Sequence, residues 1–449
     1  MAKKNKIKFF LQSNLFLIII ISLFTLFFSL LKLSKGYTFE WDQADDASKV
    51  FSIISQKKPL LIGPRVSNDN GFFVGPYHYY FLLPFFLLTK GDPVAGSYAV
   101  IFINLLTTIV SFLLIKKIFN PKTAFIASLL LSICLGKTCW NVMYSPLIAI
   151  SVFYVCYQII NNKFKFPLAM FIAGFISTIH LVPASLVPII ILSFFLAPQK
   201  PKLKEIFLGI LFFIIPFIPL IIFDIRHDFL NLNKLLLMVF GRNNITISTI
   251  PPLWLRSFWR SLNIFSFFPK TFGRIFSLLI LIISPFLFKN PKIKILVFVW
   301  IVLPLLVLSQ YHGAISEYYY DLVIYLLPLF LSLILIKMIK KVWILYLILF
   351  IIFLFSICQI NSIKPSLVSL QDKKAIVSYL INQKQDQPFN LSYETGVGLD
   401  FGFNYLFSYL NHLPQNVPNA HLYTLFTDNT LPQNSNIVFK QSIYSLVRK

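Results

Sequence analysis

Apolar runs long enough to cross a bilayer recur along the first 360 residues, and no water-soluble fold can bury so many of them. Leu15–Leu31 and Ile206–Ile222 are two such runs. Each approaches the ~20 residues needed to cross about 30 Å of hydrocarbon. Charged residues make up only 12% of the chain. A soluble domain carries roughly 25%, because it must present a wettable surface. The chain is therefore read as an all-α polytopic membrane protein.

The net charge of +24 would fit a nucleic-acid binder if it formed a groove. It does not. Residues 361–449 hold seven Lys/Arg and five Asp/Glu, so the excess lies among the apolar runs, in short clusters. That is the pattern of cytoplasmic loops under the positive-inside rule, and no nucleic-acid partner is expected. The four cysteines, Cys134, Cys139, Cys156 and Cys358, show no metal-ligand spacing and lie in or beside apolar runs. They read as small buried hydrophobes. The N-terminal MAKKNKIK precedes an apolar stretch too long for a cleaved leader, with no small-residue cleavage site after it. An uncleaved first span is expected.

Basic clusters at 3–8, 116–122, 163–165, 200–204, 289–294 and 337–341 are assigned to the cytoplasm. Between neighbouring clusters the chain must then cross an even number of times. This gives about 11 spans, with the N-terminus inside and residues 361–449 outside. The apolar stretch 79–88, containing Pro84, is about ten residues, too short to span as a helix. It is expected to be re-entrant or interfacial; a model with 12 or 13 spans would count it as crossing. The expected organisation is a membrane unit, 1–360, with outer loops at 36–78 and 225–272, and a small outer α/β region, 361–449. Alternation at Phe389–Tyr393 and Ile437–Phe439 marks strands in that region. Asp400 among Gly396, Gly398 and Gly402 reads as loop.

Acidic residues number only 16, and four of them, Glu40, Asp42, Asp45 and Asp46, fall within seven positions just after the first span. Asp42 is placed to cap a helix that follows over 45–56, with Val50, Phe51, Ile53 and Ile54 lying on the membrane surface. Capping accounts for one carboxylate, not four. The next stretch, LIGPRVSNDNGFFVGPYHYY at 61–80, is either a turn-rich loop with interfacial aromatics or the lining of a pocket facing the acids. His78, His180, His227 and His312 all fall at the outer ends of apolar segments, on the same side as Asp42. Asp224, Arg226, His227 and Asp228 sit at another outer boundary, where ionisable groups are costly unless paired, hydrated or functional. Arg226 there either pairs with Asp224 or Asp228 to anchor a helix end, or holds a phosphate by charge-assisted bonds. PPLWLRSFWRS at 251–261 reads as an amphipathic surface segment. Nucleotide-binding loops and HExxH or GxSxG patterns are missing from the sequence, which argues against an ATP-driven pump.

The segment Trp41-Asp42-Gln43-Ala44-Asp45-Asp46-Ala47 resembles the D-E-x-x-Y-like motif of GT-C glycosyltransferases, the branch of protein O-mannosyltransferases and aminoarabinose transferases. That motif also follows the first span directly. Asp42 matches its catalytic carboxylate, while Gln43 stands where Glu is usual and Asp46 where Tyr is common. Stretches at 62–86, 139–146 (CWNVMYSP), His180, 219–231 and 311–320 (YHGAISEYYY) are similar to a bacterial subgroup. The resemblance covers roughly residues 10–360. It implies inverting transfer of a sugar from a polyprenyl-phosphate donor to a lipid, glycan or protein acceptor, on the outer face of a bacterial cell (inner) membrane. In that reading Asp42 is the general base, with Asp45 or Asp46 as second carboxylate. Arg65, Arg226 and His227 meet the donor phosphate, and His78, His180, His312 and Glu317 line the substrate site. No organic cofactor is implied, and the question of a divalent metal stays open. Two other classes compete: a transporter or flippase of lipid-linked glycans, and an O-antigen polymerase or ligase. The first would show internal repeats and mid-membrane charge; the second would place its key Arg and His in late outer loops. A noncatalytic membrane scaffold is a third reading.

Overall fold

The computed structural model describes residues 14–448, apart from 67–70, 241–251, 266, 312–314, 384–387, 416, 419 and 434. Eight helices are long and apolar enough to cross a bilayer, making this an integral membrane protein. They include α1 (Asn14–Leu33), Ala95–Ile118 and Val342–Ser362. Shorter apolar helices at Pro121–Cys134, Phe166–Ile179 and Leu181–Leu196 occupy three further expected spans. The last of these breaks near Ser185, between Leu181–Ala184 and Val187–Leu196.

After α1 the chain turns through Gly36 into α2 (Trp41–Gln56). The helix begins earlier than the sequence indicates, and Asp42 is not its cap. Glu40 is the N-cap, and its amide donates to Gln43 Oε1 at 3.1 Å. Asp42 is thereby left in the first turn with its carboxylate uncommitted, where a negative charge suits the helix dipole. A second correction concerns the apolar side of α2. Val50 and Ile53 are buried against protein, not spread on lipid. They join a core with α3 (Tyr77–Leu88), the start of α4 (Ala95–Ile118) and the C-terminal residues. At 12 residues, α3 rises only about 18 Å, too little to cross.

Two further helices matter below: α5 (Pro121–Cys134) and α6 (Leu253–Ser261). In α6, Ser257, Phe258 and Ser261 face inward while Leu255, Arg256 and Arg260 are exposed, as its amphipathic pattern indicates. The last span is α7 (Val342–Ser362), whose Phe353 packs on Phe24 and Phe28 of α1.

Beyond α7 come α8 (Leu370–Gln383) and α9 (Phe403–Tyr409) with four strands, β1 (Phe389–Glu394), β2 (His421–Thr427), β3 (Ile437–Gln441) and β4 (Tyr444–Arg448). The sheet order is β1-β2-β4-β3; β1 and β2 run parallel and the other pairings are antiparallel. Both strands expected from alternation are present. This layer closes over α2. The Phe39 amide bonds to the Val368 carbonyl and the Leu370 amide to the Tyr37 carbonyl. Gly402 has φ +91°, and a Cβ there would come within 2.6 Å of the Phe39 ring. Only glycine fits both the backbone and the space.

Candidate functional site

Asp42, Asp45 and Asp46 occupy helix positions i, i+3 and i+4, which puts them on one side of α2. They differ sharply in surroundings. Asp42 and Asp45 are exposed, whereas Asp46 is buried. Asp46 Oδ2 is 2.9 Å from Nε2 of His78 on α3. His78 Nδ1 is in turn 2.8 Å from the Tyr144 hydroxyl. A carboxylate only accepts, so Nε2–H donates to Asp46, and Nδ1 shares a second hydrogen bond with the Tyr144 hydroxyl. His78 is 1% exposed. It was expected to touch substrate, but the structure sets it behind the carboxylate.

The departure at Gln43 now has a physical account. Its Nε2 donates to the Cys139 carbonyl at 2.9 Å while its Oε1 takes the Glu40 amide. Both ends of the buried amide are used, and a carboxylate could supply only one of these bonds. The position is a brace between α2 and the 139–146 segment.

Asp42 titrates high, at about 6. Although Asp42 keeps an open side, the protein packed around its carboxylate desolvates it, and that is the main cause, followed by the charges of Asp46 and Asp45; His78 opposes them. Asp45 is also raised, chiefly by desolvation, with Lys49 and Arg65 pulling the other way. Arg65 therefore lies within electrostatic range of Asp45.

Arg65 is held there by a short hairpin. Gly63 donates to Val74, Val74 to Pro64 and Val66 to Phe72, and Gly75 donates to Thr178 at the end of the Phe166–Ile179 helix. Gly63 and Gly75 face each other so closely that a Cβ on Gly63 would meet the Gly75 carbonyl oxygen at 2.0 Å. That explains two glycines of the 62–76 motif. The Arg65 guanidinium sits 4.8 Å above the Phe73 ring. Phe73 contacts Phe223, on which His227 stacks at 4.1 Å. Asn231 clamps the Phe73 peptide from both sides. One aromatic ladder thus joins Arg65 to His227, although 162 positions separate them in the chain.

The expected pairing of Arg226 with Asp224 or Asp228 is not found among the described residues. Asp224 instead accepts from the Asn231 and Leu232 amides, capping the helix Leu230–Phe240. Arg226 is exposed. His180 is buried; its Nδ1 accepts from the Val182 amide, and its ring meets Tyr318 at 5.8 Å. Trp140 meets Tyr318 from another side at 4.9 Å, and Tyr319 stacks on it at 4.7 Å. Tyr318 is within electrostatic range of Asp42. The wall formed by Trp140, His180, Tyr318 and Tyr319 stands beside the acids. Glu317 does not join it; it pairs with Arg260 at 3.3 Å on α6. His312 lies outside the described residues. Tyr144, Trp140, Tyr318 and Asn231 were not singled out from the sequence, although each falls in one of the motif stretches. No group of three or more His, Cys, Asp or Glu side chains placed to hold a metal occurs among the described residues.

No protein-family model and no curated protein matches this sequence. The fold does have solved counterparts. The crystal structure of ArnT from Cupriavidus metallidurans bound to undecaprenyl phosphate aligns with a TM-score of 0.65 at 11% identity, covering 97% of this chain and 98% of that one. Its apo state aligns at 0.63 with 11% identity, covering 96% and 97%. An oligosaccharyltransferase from Archaeoglobus fulgidus aligns at only 0.49 with 12% identity, covering 92% of this chain and 69% of that one, too loosely to bear on the site. Near-complete coverage in both directions means that the membrane helices, α2 and the C-terminal sheet all have counterparts in one architecture. The chain is an integral membrane protein that shares the fold of ArnT from Cupriavidus metallidurans.

Proposed function

We propose that the protein transfers a sugar from a polyprenyl-phosphate donor to an acceptor on the outer face of the membrane. The observation that carries this reading is Asp42, a carboxylate pushed up to about 6, one helical turn from Asp45, which in turn lies within electrostatic range of the Arg65 guanidinium. A base with a pKa near the working pH removes a proton efficiently as a bond forms. In the proposed step Asp42 takes the proton from an acceptor hydroxyl or amine. The acceptor atom then bonds to the anomeric carbon while the bond from that carbon to the phosphate oxygen breaks, inverting the centre. The polyprenyl phosphate leaves with the electron pair, and Arg65, with Arg226 and His227 at the far end of the ladder, stabilises the charge that gathers there. Asp46, His78 and Tyr144 hold the acid face in place.

The likeness to an ArnT captured with undecaprenyl phosphate supports a polyprenyl-phosphate donor. The basic clusters support a cytoplasmic N-terminus and an outer C-terminal region, in a bacterial inner membrane. On this reading residues 361–449 cover α2 and form the outer wall of the acceptor site. The test is incubation of purified protein with radiolabelled polyprenyl-phosphate sugars. Label should pass to an acceptor with wild-type protein and not with Asp42→Asn. Translocation of substrate across liposomes without covalent transfer would overturn the reading in favour of a transporter.

A further inference from the structure

A polar pocket opens over an apolar groove. The pocket, about 330 Å³, is lined by Lys32 at the end of α1, Arg260 and Asn263 at and just beyond the end of α6, and Glu317 and Asp321. The groove, about 270 Å³, is lined by Phe24 of α1, Phe125 and Leu129 of α5, and Phe350 and Phe353 of α7. The two share Ile133. Phe24 precedes Lys32 by eight residues, and Phe125 precedes Ile133 by eight. On both helices the apolar lining therefore sits about 12 Å deeper than the polar lining. A charged chamber at the boundary with a greasy channel beneath it has the polarity of a lipid headgroup and the start of one of its chains.

The chamber's charges define the headgroup. Lys32 donates to the Ile133 and Leu135 carbonyls, which leaves one of its three protons for the chamber. Arg260 uses one nitrogen on Glu317 and keeps other donors free. Asp321 makes no side-chain hydrogen bond or ion pair among the described residues, and it lines the chamber. Two cations and two carboxylates would repel a purely anionic headgroup as much as attract it. They complement a group that carries a phosphate and a donating ammonium together. A quaternary ammonium has no proton to give Asp321, so a primary amine fits better.

We infer that this pocket and groove form a binding site for a phosphoethanolamine lipid, its phosphate between Lys32 and Arg260, its ammonium on Asp321 and one chain in the groove. The site includes no residue of α2 and does not rest on the glycosyl-transfer reading.

The test uses the full chain in detergent micelles, stripped of lipid and titrated with phosphatidylethanolamine or phosphatidylglycerol of identical chains, read by native mass spectrometry. Phosphatidylethanolamine should bind about tenfold more tightly. Asp321→Asn should erase that preference, weakening phosphatidylethanolamine while phosphatidylglycerol binds at least as tightly as before. Arg260→Gln, at the exposed rim where folding is not at stake, should weaken both lipids alike. Equal binding of the two lipids to the wild type would overturn the inference, as would a preference that survives in Asp321→Asn, or indifference of both lipids to Arg260→Gln.

Discussion

Asp46 and His78 are joined at 2.9 Å across two helices, both side chains sealed from water, and Tyr144 closes the line from behind. This contact locks α2 to α3 and so fixes the direction in which the neighbouring Asp42 points. Breaking a buried pair from one side leaves the other member unsatisfied. His78→Phe should cost about 3 kcal/mol of stability, and transfer should fall even in the fraction that remains folded. Tyr144→Phe, which removes one hydrogen bond, should cost only about 1 kcal/mol. Thermal melts in detergent alongside the transfer assay would measure both. A fully active, fully stable His78→Phe protein would remove the positioning role.

Because Asp42 acts as a base in the proposed step, kcat/KM should fall as pH drops through about 6. The neighbouring Asp45 charge helps keep that value high. Asp45→Asn should therefore shift the acid limb of the pH–rate profile to lower pH. An unmoved or upward-shifted limb would contradict the assignment.

Stability should follow the opposite sign. A carboxyl whose pKa is higher folded than unfolded contributes most below the unfolded value, and that contribution is lost as pH rises through the folded value. Asp42→Asn, inactive in transfer, should melt higher than wild type at pH 7.5 and show no such advantage near pH 4. Equal melting differences at the two pH values would count against the raised pKa.

Gln43→Glu would supply the residue usual in the motif that 41–47 resembles, yet it should harm this protein. Glutamate cannot donate to the Cys139 carbonyl, and its charge would be buried. A loss of about 1–3 kcal/mol is expected, with no gain in transfer. Increased activity in that variant would show that the second carboxylate belongs at this position.

At Gly402, alanine would meet both a left-handed backbone and the Phe39 ring. Gly402→Ala should destabilise the contact between the C-terminal layer and α2 by more than about 1 kcal/mol. Limited proteolysis should then cleave within 384–420 sooner than in wild type, and a digestion pattern like that of the wild type would refute it.

Much of this protein is legible in the string of residues. Hydrocarbon tolerates only long apolar helices, so the runs of Leu, Ile and Phe mark the spans directly. The basic loops and the four acids at 40–46 separate along the chain, and that local pattern is enough to mark the acidic cluster; the resemblance of 41–47 to a known motif picks out Asp42 within it and implies the role of Arg65. The alternation at 389–393 and 437–439 likewise declares two strands. What pattern cannot reach is partnership. Val50 and Ile53 look alike whether lipid or protein covers them, and a C-terminal layer more than 300 residues away covers them here. Three aspartates of one helix read as equals until His78 and Tyr144 bury Asp46 and leave Asp42 exposed. Gln43 reads as a lost carboxylate until its amide is seen spanning Glu40 and Cys139. Segment type follows from periodicity and transfer energy along a stretch of chain. The state of each ionisable group follows from desolvation and neighbouring charge, and only the packed structure brings those neighbours together.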